Sequence, residues 1–273
     1  FILIDACELV SGQVLRIVGG DEAPPDYGRF HASIQNLTGS HVCGGAVVSK
    51  WLVVTAAHCV HGIVSGTNNL NNGGKEHTVE YTVVYDNYNP ITRENDIALL
   101  KIRECFDLRY ISILKLRRQE LKEGDAIFLS GFGAQEPNGL STCSMQTLNL
   151  TVFNQEICEY ALRYASTLVT DAMFCTFTRI GEGTCHGDSG SPLVKGSELV
   201  GLVSWGIPCA VGFPDVHTRI SPFVDWIQEY IEKDHCVAKS PLTILKKLEY
   251  IARYTANVPV ELKRLIRREN FLQ

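Results

Sequence analysis

A segment with the chemistry of a nucleophile, Cys185-His186-Gly187-Asp188-Ser189-Gly190, lies in the last third of the chain. A serine flanked by glycines can project its Oγ from a tight turn. In such a turn the backbone N–H groups of Gly187 and Ser189 can point together at a developing oxyanion. Short clusters of Gly, Asp and Ser are usually ordinary turns, so the segment gains weight only from partners elsewhere.

Two upstream segments supply the partners that a serine nucleophile needs. Thr55-Ala56-Ala57-His58-Cys59 contains a histidine, and Asn95-Asp96-Ile97-Ala98-Leu99-Leu100 contains an acid. A serine hydroxyl needs a base, and histidine is the side chain whose unperturbed pKa lies nearest to neutral pH. Taken singly, His58 is more often structural and Asp96 is a turn acid or strand cap. Their occurrence together, in the order His, Asp, Ser, favours catalysis.

A fourth segment, Arg16-Ile17-Val18-Gly19-Gly20, completes a set of motifs that resembles the chymotrypsin/trypsin-like serine protease family. The resemblance covers about Arg16 to Ile231, and the joint match of four motifs is specific. Within the family, Cys175 to Pro192 and Gly206 to Gly212 are most similar to insect chymotrypsins.

The resemblance implies a catalytic triad. His58 would take the proton of Ser189 during attack and return it to the leaving amine, while Asp96 would fix the imidazole tautomer. Gly187 and Ser189 would form the oxyanion hole. The implied activity is that of a serine endopeptidase that forms an acyl-enzyme, with no cofactor and no metal. The other histidines carry no motif and are expected to be surface or packing residues: His31, His41, His61, His77 and His235.

The resemblance also implies activation by cleavage. A cut after Arg16 would create an ammonium group on Ile17, and a buried charge needs a partner. In the family that partner is the acid next to the serine, here Asp188, and the ion pair reorganises the loop that carries Gly187. The chain with residues 1–16 attached is therefore expected to be a zymogen, activated by a trypsin-like protease.

The implied substrate pocket is lined by Gly183, Thr184, Ser204, Trp205, Gly206 and Asp215. Gly183 stands at the pocket base, where trypsins carry an aspartate. Without that acid, the favoured occupant is a large apolar or aromatic P1 side chain, on the residue before the scissile bond. Ser204-Trp205-Gly206 would offer extended backbone to the substrate, and Gly206 leaves the pocket mouth open.

Asp215 introduces an alternative preference. It replaces a residue that is usually glycine in vertebrate relatives, and its carboxylate could attract Lys or Arg, as in a trypsin. His217, two residues on and on the same side of an extended segment, is expected to partner Asp215 and weaken that attraction. Insect chymotrypsins also often carry an acid here, so we favour the apolar or aromatic P1 side chain.

Ten cysteines without a CxxC pair indicate disulfides and a secreted, extracellular protein, and argue against a zinc site. The family implies the pairs Cys43–Cys59, Cys158–Cys175 and Cys185–Cys209. Cys7, Cys105, Cys143 and Cys236 are left unassigned, with a Cys105–Cys236 bridge as one option. Because Lys115 replaces the cysteine that often retains the propeptide, residues 1–16 are expected to leave on activation.

Short apolar or alternating runs between turn residues indicate an all-β fold from Ile17 to about Ile220. The family implies two six-stranded antiparallel β-barrels, about 17–118 and 124–220, with the site in the cleft between them. Ser221 to Lys233 predicts a C-terminal helix, so that residues 17–233 form the protease domain. Residues 1–16 are the expected propeptide, with the tail of a signal peptide as one interpretation of its start.

Residues 234–273 depart from the family. They hold eight Lys/Arg and four Asp/Glu, and helical patterns start at Ser240-Pro241 and at Pro259. A basic amphipathic extension could bind a membrane surface or a partner, and the ordinary interpretation is a solvated, weakly helical appendage. Its role is left open.

Composition limits the other classes of function. The chain is 45% hydrophobic and 20% charged with a net charge of −5, which argues against a general nucleic-acid binder. It has no apolar run of about 18 residues, so no membrane span is expected. The expected partners are protein or peptide substrates, the activating protease and protease inhibitors, and we expect a monomer. An inactive homologue that acts as a binding protein is the rival class, but such proteins usually lack His, Asp or Ser of the triad.

Two smaller features have structural consequences. Ser191 stands where the family usually has glycine, and a glycine-only backbone conformation there would cost about 1 kcal/mol or more in strain. Asn36-Leu37-Thr38 and Asn149-Leu150-Thr151 are N-glycosylation sequons, usable only where they are exposed.

Overall fold

The computed structural model describes residues 17–24, 27–60, 63–66, 70, 75–137, 139, 141–165 and 167–236. The predicted propeptide, with Arg16 and Cys7, lies outside these residues, as do His61 and the extension after Cys236. Among the residues described, no helix has both the length and the apolar composition that crossing a bilayer requires.

Strands dominate the described part of the chain. In sequence order they are β1 (Asp21–Glu22), β2 (His31–Gln35), β3 (His41–Val47), β4 (Leu52–Thr55), β5 (Ile63–Gly66), β6 (Lys75–His77), β7 (Val79–Val84), β8 (Ala98–Ile102), β9 (Lys115–Leu116), β10 (Ala126–Gly131), β11 (Gln146–Thr151), β12 (Met173–Thr176), β13 (Pro192–Lys195), β14 (Glu198–Gly206) and β15 (Asp215–Arg219). Two α-helices, α1 (Gln155–Leu162) and α2 (Val224–Lys233), and two 3₁₀ turns, Ala57–Cys59 and Ser221–Phe223, complete the elements.

The strands form two sheets. The first runs in the order β6-β5-β2-β3-β4-β8-β7, and the second in the order β1-β11-β10-β13-β14-β15-β12, with the short β9 parallel to β14. The predicted all-β, two-barrel fold class is confirmed. Each sheet has six longer strands. The first sheet has seven strands in all because it also contains the short β6, and the second has eight because it also contains the short β1 and β9.

The largest hydrophobic core is shared by both sheets and the C-terminal helix. Val54 of β4 and Leu99 of β8 lie in one apolar cluster with Leu202 of β14 and with Val224 and Ile227 of α2. Their sequence neighbours in β4 and β8 alternate to a second cluster on the other face of the first sheet. Both strands therefore bury both faces, which fixes the segments that immediately follow β4 and precede β8.

Disulfides connect the loops around these sheets. The three pairs implied by the family are formed, Cys43–Cys59, Cys158–Cys175 and Cys185–Cys209. Cys105 also pairs with Cys236, 131 residues later, which closes the end of the described chain onto the segment after β8. Cys143 is disulfide-bonded as well.

Candidate active site

His58 and Asp96 meet at the ends of two neighbouring core strands. His58 lies in the 3₁₀ turn that follows β4, and Asp96 lies just before β8, which pairs with β4. The Nδ1 atom of His58 is 2.7 Å from Oδ2 of Asp96, and the backbone N–H of His58 donates to Oδ1 at 3.0 Å. Two hydrogen bonds therefore fix the ring relative to the carboxylate, with Nδ1–H as the donor.

Two residues of the second sheet also bind Asp96. The Ser204 hydroxyl donates to Oδ2 of Asp96 at 2.7 Å, and the Thr218 hydroxyl donates to its backbone oxygen at 2.9 Å. Asp96 is fully buried, and Ser204 lies at a bulge in β14. Ser204 is predicted to offer its backbone to the substrate. Its side chain, in addition, orients the carboxylate of Asp96.

The segment with the serine forms the tight turn that its glycines predict. Gly187 and Gly190 have φ values of +95° and +72°, a backbone region that residues other than glycine rarely adopt. A Cβ on Gly190 would also lie 2.3 Å from Oγ1 of Thr55. Gly44 donates its N–H to the backbone oxygen of Ser189 at 2.8 Å. The turn is therefore seated against the end of β4, close to His58.

Ser189 is partly exposed, as a nucleophile must be. Its hydroxyl and Nε2 of His58 are not hydrogen-bonded in this structure, and such bonds are often long before substrate binds. Ser191 is fully buried and does not have a positive φ. The backbone strain expected at Ser191 is therefore not present.

Asp188 is a buried carboxylate behind the serine turn. It is fully inaccessible, and its oxygens accept N–H groups from Gly133 at 2.9 Å and Cys185 at 3.0 Å. Burial raises the pKa of Asp188 to about 7. No Lys, Arg or His within the described ranges forms an ion pair with it, and Ile17 is itself completely buried in the core of the second sheet.

The predicted pocket residues Gly183, Thr184, Gly206 and Asp215 lie together. Asp215 is paired with Gly206 across β14 and β15, and its Oδ2 accepts the Thr184 N–H at 2.8 Å. A Cβ on Gly183 would lie 2.7 Å from this oxygen, so the missing side chain leaves room for the carboxylate. Oδ1 of Asp215 has no hydrogen-bond partner among the described residues. Trp205, partly buried, precedes Gly206 on β14.

Comparison with known proteins places this site in a family. The family model described as Trypsin matches residues 17–227. This chain belongs to the trypsin family. It is 37% identical to chymotrypsin-2 of Vespa crabro over 224 residues, 78% of this chain and 99% of that protein. It is 35% identical to a trypsin of Phaedon cochleariae over 234 residues, 80% and 89% of the two chains. The protein is accordingly a serine endopeptidase.

His217 of this trypsin-family protein does not form the bond predicted for it. Its Nε2 is 2.7 Å from Oγ1 of Thr176, and its Nδ1 has no partner in the described part of the chain. The hydrogen-bond partner of His217 is therefore Thr176, on the neighbouring strand β12, and not Asp215. Burial lowers the pKa of His217 to about 3, so the ring is neutral. The prediction that His217 offsets the charge of Asp215 is wrong.

His41 is a site residue that the sequence analysis missed. Its Nε2 donates to the backbone oxygen of Gly187 at 2.9 Å, and its Nδ1 lies 2.8 Å from the Ser33 hydroxyl. Burial lowers the pKa of His41 to about 4, so the neutral ring can donate from one nitrogen and accept at the other. The spacing from Cys43 gave no such signal, because a bulge between the two residues places His41 on the face of Ser33, whereas Cys43 is paired with Ile34.

We expect His41→Ala to lower kcat about tenfold, because one hydrogen bond, worth about 1–1.5 kcal/mol, then no longer orients the Gly187 peptide. KM for a short peptide substrate should change little. Steady-state kinetics of the cleaved protein measures both constants, with the exposed His235→Ala as the matched control. An unchanged kcat would show that His41 only packs.

Proposed function

We propose that this protease is a secreted zymogen, cleaved after Arg16, that prefers large apolar or aromatic P1 side chains. The observation that carries the preference is Gly183, which puts no charge of its own at the pocket base. The 37% identity to a protein named chymotrypsin-2 is consistent with it. We propose residues 17–233 as the protease domain.

The proposed mechanism assigns one role to each group. Oγ of Ser189 attacks the scissile carbonyl while Nε2 of His58 takes its proton, and Asp96 stabilises the resulting imidazolium. The N–H groups of Gly187 and Ser189 stabilise the oxyanion. His58 then protonates the leaving amine, and a water molecule hydrolyses the acyl-enzyme by the same steps.

Activation is proposed to depend on Ile17 and Asp188. Ile17 is already buried beside the second sheet, and Asp188 is a buried carboxylate with two N–H donors and a raised pKa. A new ammonium group at Ile17 would supply the cation that such a carboxylate needs. The four disulfides between described cysteines favour an oxidising, extracellular location.

A trypsin-like preference is the second candidate, and Asp215 is the observation that favours it. One carboxylate oxygen is unpartnered, and His217 does not offset it. However, Asp215 is buried and burial raises its pKa to about 7, so part of it is neutral near neutral pH. The Thr184 N–H also occupies the other oxygen, so the carboxylate is partly neutralised by a donor of the protein itself. We therefore keep the apolar preference.

We expect Asp215→Ser to remove residual cleavage after Lys and Arg while cleavage after Phe, Tyr and Leu is retained or increased. The reason is that the substitution removes the carboxylate that lies against Gly183 and leaves a smaller, uncharged side chain there. The measurement is kcat/KM for a series of P1 p-nitroanilides after activation with trypsin. Ser189→Ala reports contamination by the activator, and the exposed Asp86→Ser is the matched control. A dominant Arg signal in the wild-type protein would overturn the proposed preference.

A further inference from the structure

The sequon Asn36-Leu37-Thr38 occupies the tip of the hairpin between β2 and β3. The tip is closed by two backbone hydrogen bonds, from the Asn36 N–H to the Ser40 oxygen at 2.9 Å and from the Gly39 N–H to the Asn36 oxygen at 3.0 Å. Leu37 is 91% exposed, and a Cβ added to Gly39 would meet no atom within 4 Å. The turn therefore has open space around it.

The side chain of Asn36 uses only its oxygen inside this turn. Oδ1 accepts the backbone N–H groups of Thr38 and Ser40, both at 3.0 Å, and the Thr38 hydroxyl at 2.6 Å. Nδ2, the atom to which a glycan is attached, makes no hydrogen bond within the described residues. A glycan on Nδ2 is thus compatible with every contact that holds the turn.

The second sequon lies in a different setting. Asn149 is in the middle of β11, where it is paired with Phe128 of β10. It lines a groove of about 450 Å³ together with Gly19, Asp21 and Thr147. Asn149 is exposed, but acceptor asparagines are typical of surface loops, and Asn149 lies within a regular strand.

We propose that Asn36 carries an N-linked glycan and that Asn149 does not. In the transfer step, Nδ2 of Asn36 forms a bond to the first sugar of a lipid-linked oligosaccharide donor. The bond between that sugar and the donor's diphosphate breaks, the lipid diphosphate leaves with the bonding electrons, and Nδ2 loses one proton. The inference rests on the proposed passage through the secretory pathway.

The position of the turn gives the glycan a functional consequence. Gln35, next to Asn36, is paired with His41, and His41 donates to the backbone oxygen of Gly187. The glycan would therefore stand beside the predicted oxyanion-hole loop. It is bulky, so it hinders protein substrates and protein inhibitors there, whereas a short p-nitroanilide substrate passes.

The first test is the mass of the protein secreted by insect cells from the full chain behind a secretion signal. The wild type should lose one glycan's mass on treatment with a peptide N-glycosidase. Thr38→Ala and Asn36→Gln should abolish that loss, while Thr38→Ser, which keeps the sequon, and Asn149→Gln should preserve it. A loss that survives Asn36→Gln, or a wild type without any glycan, overturns the proposal. This readout does not depend on protease activity, so it fails separately from the proposed function.

The second test concerns access to the site. After activation, Thr38→Ala should cleave casein faster than the wild type, with unchanged kcat/KM for a p-nitroanilide. Thr38→Ser should match the wild type on both substrates. Equal casein rates for Thr38→Ala and the wild type would show that the glycan does not restrict the site.

Discussion

Asp96→Asn is expected to lower kcat by about 10⁴-fold and to leave the fold intact, because the amide cannot hold the imidazole in the tautomer that accepts a proton from serine. In the present structure the Asp96 carboxylate accepts three hydrogen bonds, from Nδ1–H and the backbone N–H of His58 and from the Ser204 hydroxyl. An asparagine has one oxygen that can accept from these donors, and its NH₂ group itself donates hydrogen bonds. Nδ1 of His58 then becomes the acceptor, and Nε2 keeps a proton where a base is required.

The measurement is single-turnover and steady-state kinetics of the cleaved protein, with the fraction of intact sites determined by titration. Asp171→Asn, an exposed acid on the surface, is the matched control and should leave kcat unchanged. Far-UV circular dichroism and thermal unfolding check that Asp96→Asn folds. A variant that folds and retains the wild-type kcat would remove Asp96 from the proposed triad.

The parts of the site that the sequence predicted are those encoded in short segments. His58 directly follows β4, and Asp96 directly precedes β8, so each residue is placed by the end of a core strand whose alternating apolar pattern is visible in the sequence. The positive φ values of Gly187 and Gly190 are likewise local, because glycine itself permits them. The two-barrel fold class followed from the same strand pattern together with the family resemblance.

The contacts that the sequence did not predict join residues far apart in the chain. His41 reaches Gly187 across 146 positions, and His217 bonds to Thr176 across 41. Position within a strand shows which face a histidine occupies, but its partner depends on the neighbouring strand and its register. Asp215 and His217 both lie on β15, two residues apart, yet the expected bond is not formed: Thr176 binds Nε2 of His217, and Nδ1 has no partner among the described residues.

Asp188→Asn is expected to leave the cleaved protein nearly inactive, with kcat lower by about 10²–10⁴-fold. The variant removes one partner of a buried charge pair, which costs about 3–5 kcal/mol, and this free energy opposes the active conformation. The Gly133 and Cys185 N–H groups donate to different oxygens of the carboxylate, so in the amide one of them would face an NH₂ group that cannot accept its hydrogen bond. The loop that carries Gly187 then loses the support on which the oxyanion hole depends.

The pH dependence of the same pair has a definite sign. In the uncleaved chain burial raises the pKa of Asp188 from 3.8 to about 7, so the buried arrangement is favoured most below the ordinary pKa, and this contribution is lost as the pH rises to about 7. Cleavage reverses the sign, because an ammonium group at Ile17 favours the ionised carboxylate. The cleaved protein should therefore remain active until that ammonium group loses its proton. A free α-amino group has a pKa of about 8, and pairing with a carboxylate raises that pKa.

The reactivity of Asp188→Asn distinguishes a charge pair between Ile17 and Asp188 from simple packing. The variant and the wild type are cleaved to the same extent, as checked by N-terminal sequencing, and their reactive serines are counted with a fluorophosphonate reagent at acid, neutral and alkaline pH. Asp225→Asn, which breaks an exposed pair with Arg118, is the matched control and should behave as the wild type. The wild type should lose reactivity at alkaline pH as Ile17 titrates, whereas Asp188→Asn should be unreactive throughout. Full reactivity of Asp188→Asn after cleavage would mean that the buried carboxylate is not the group that Ile17 activates.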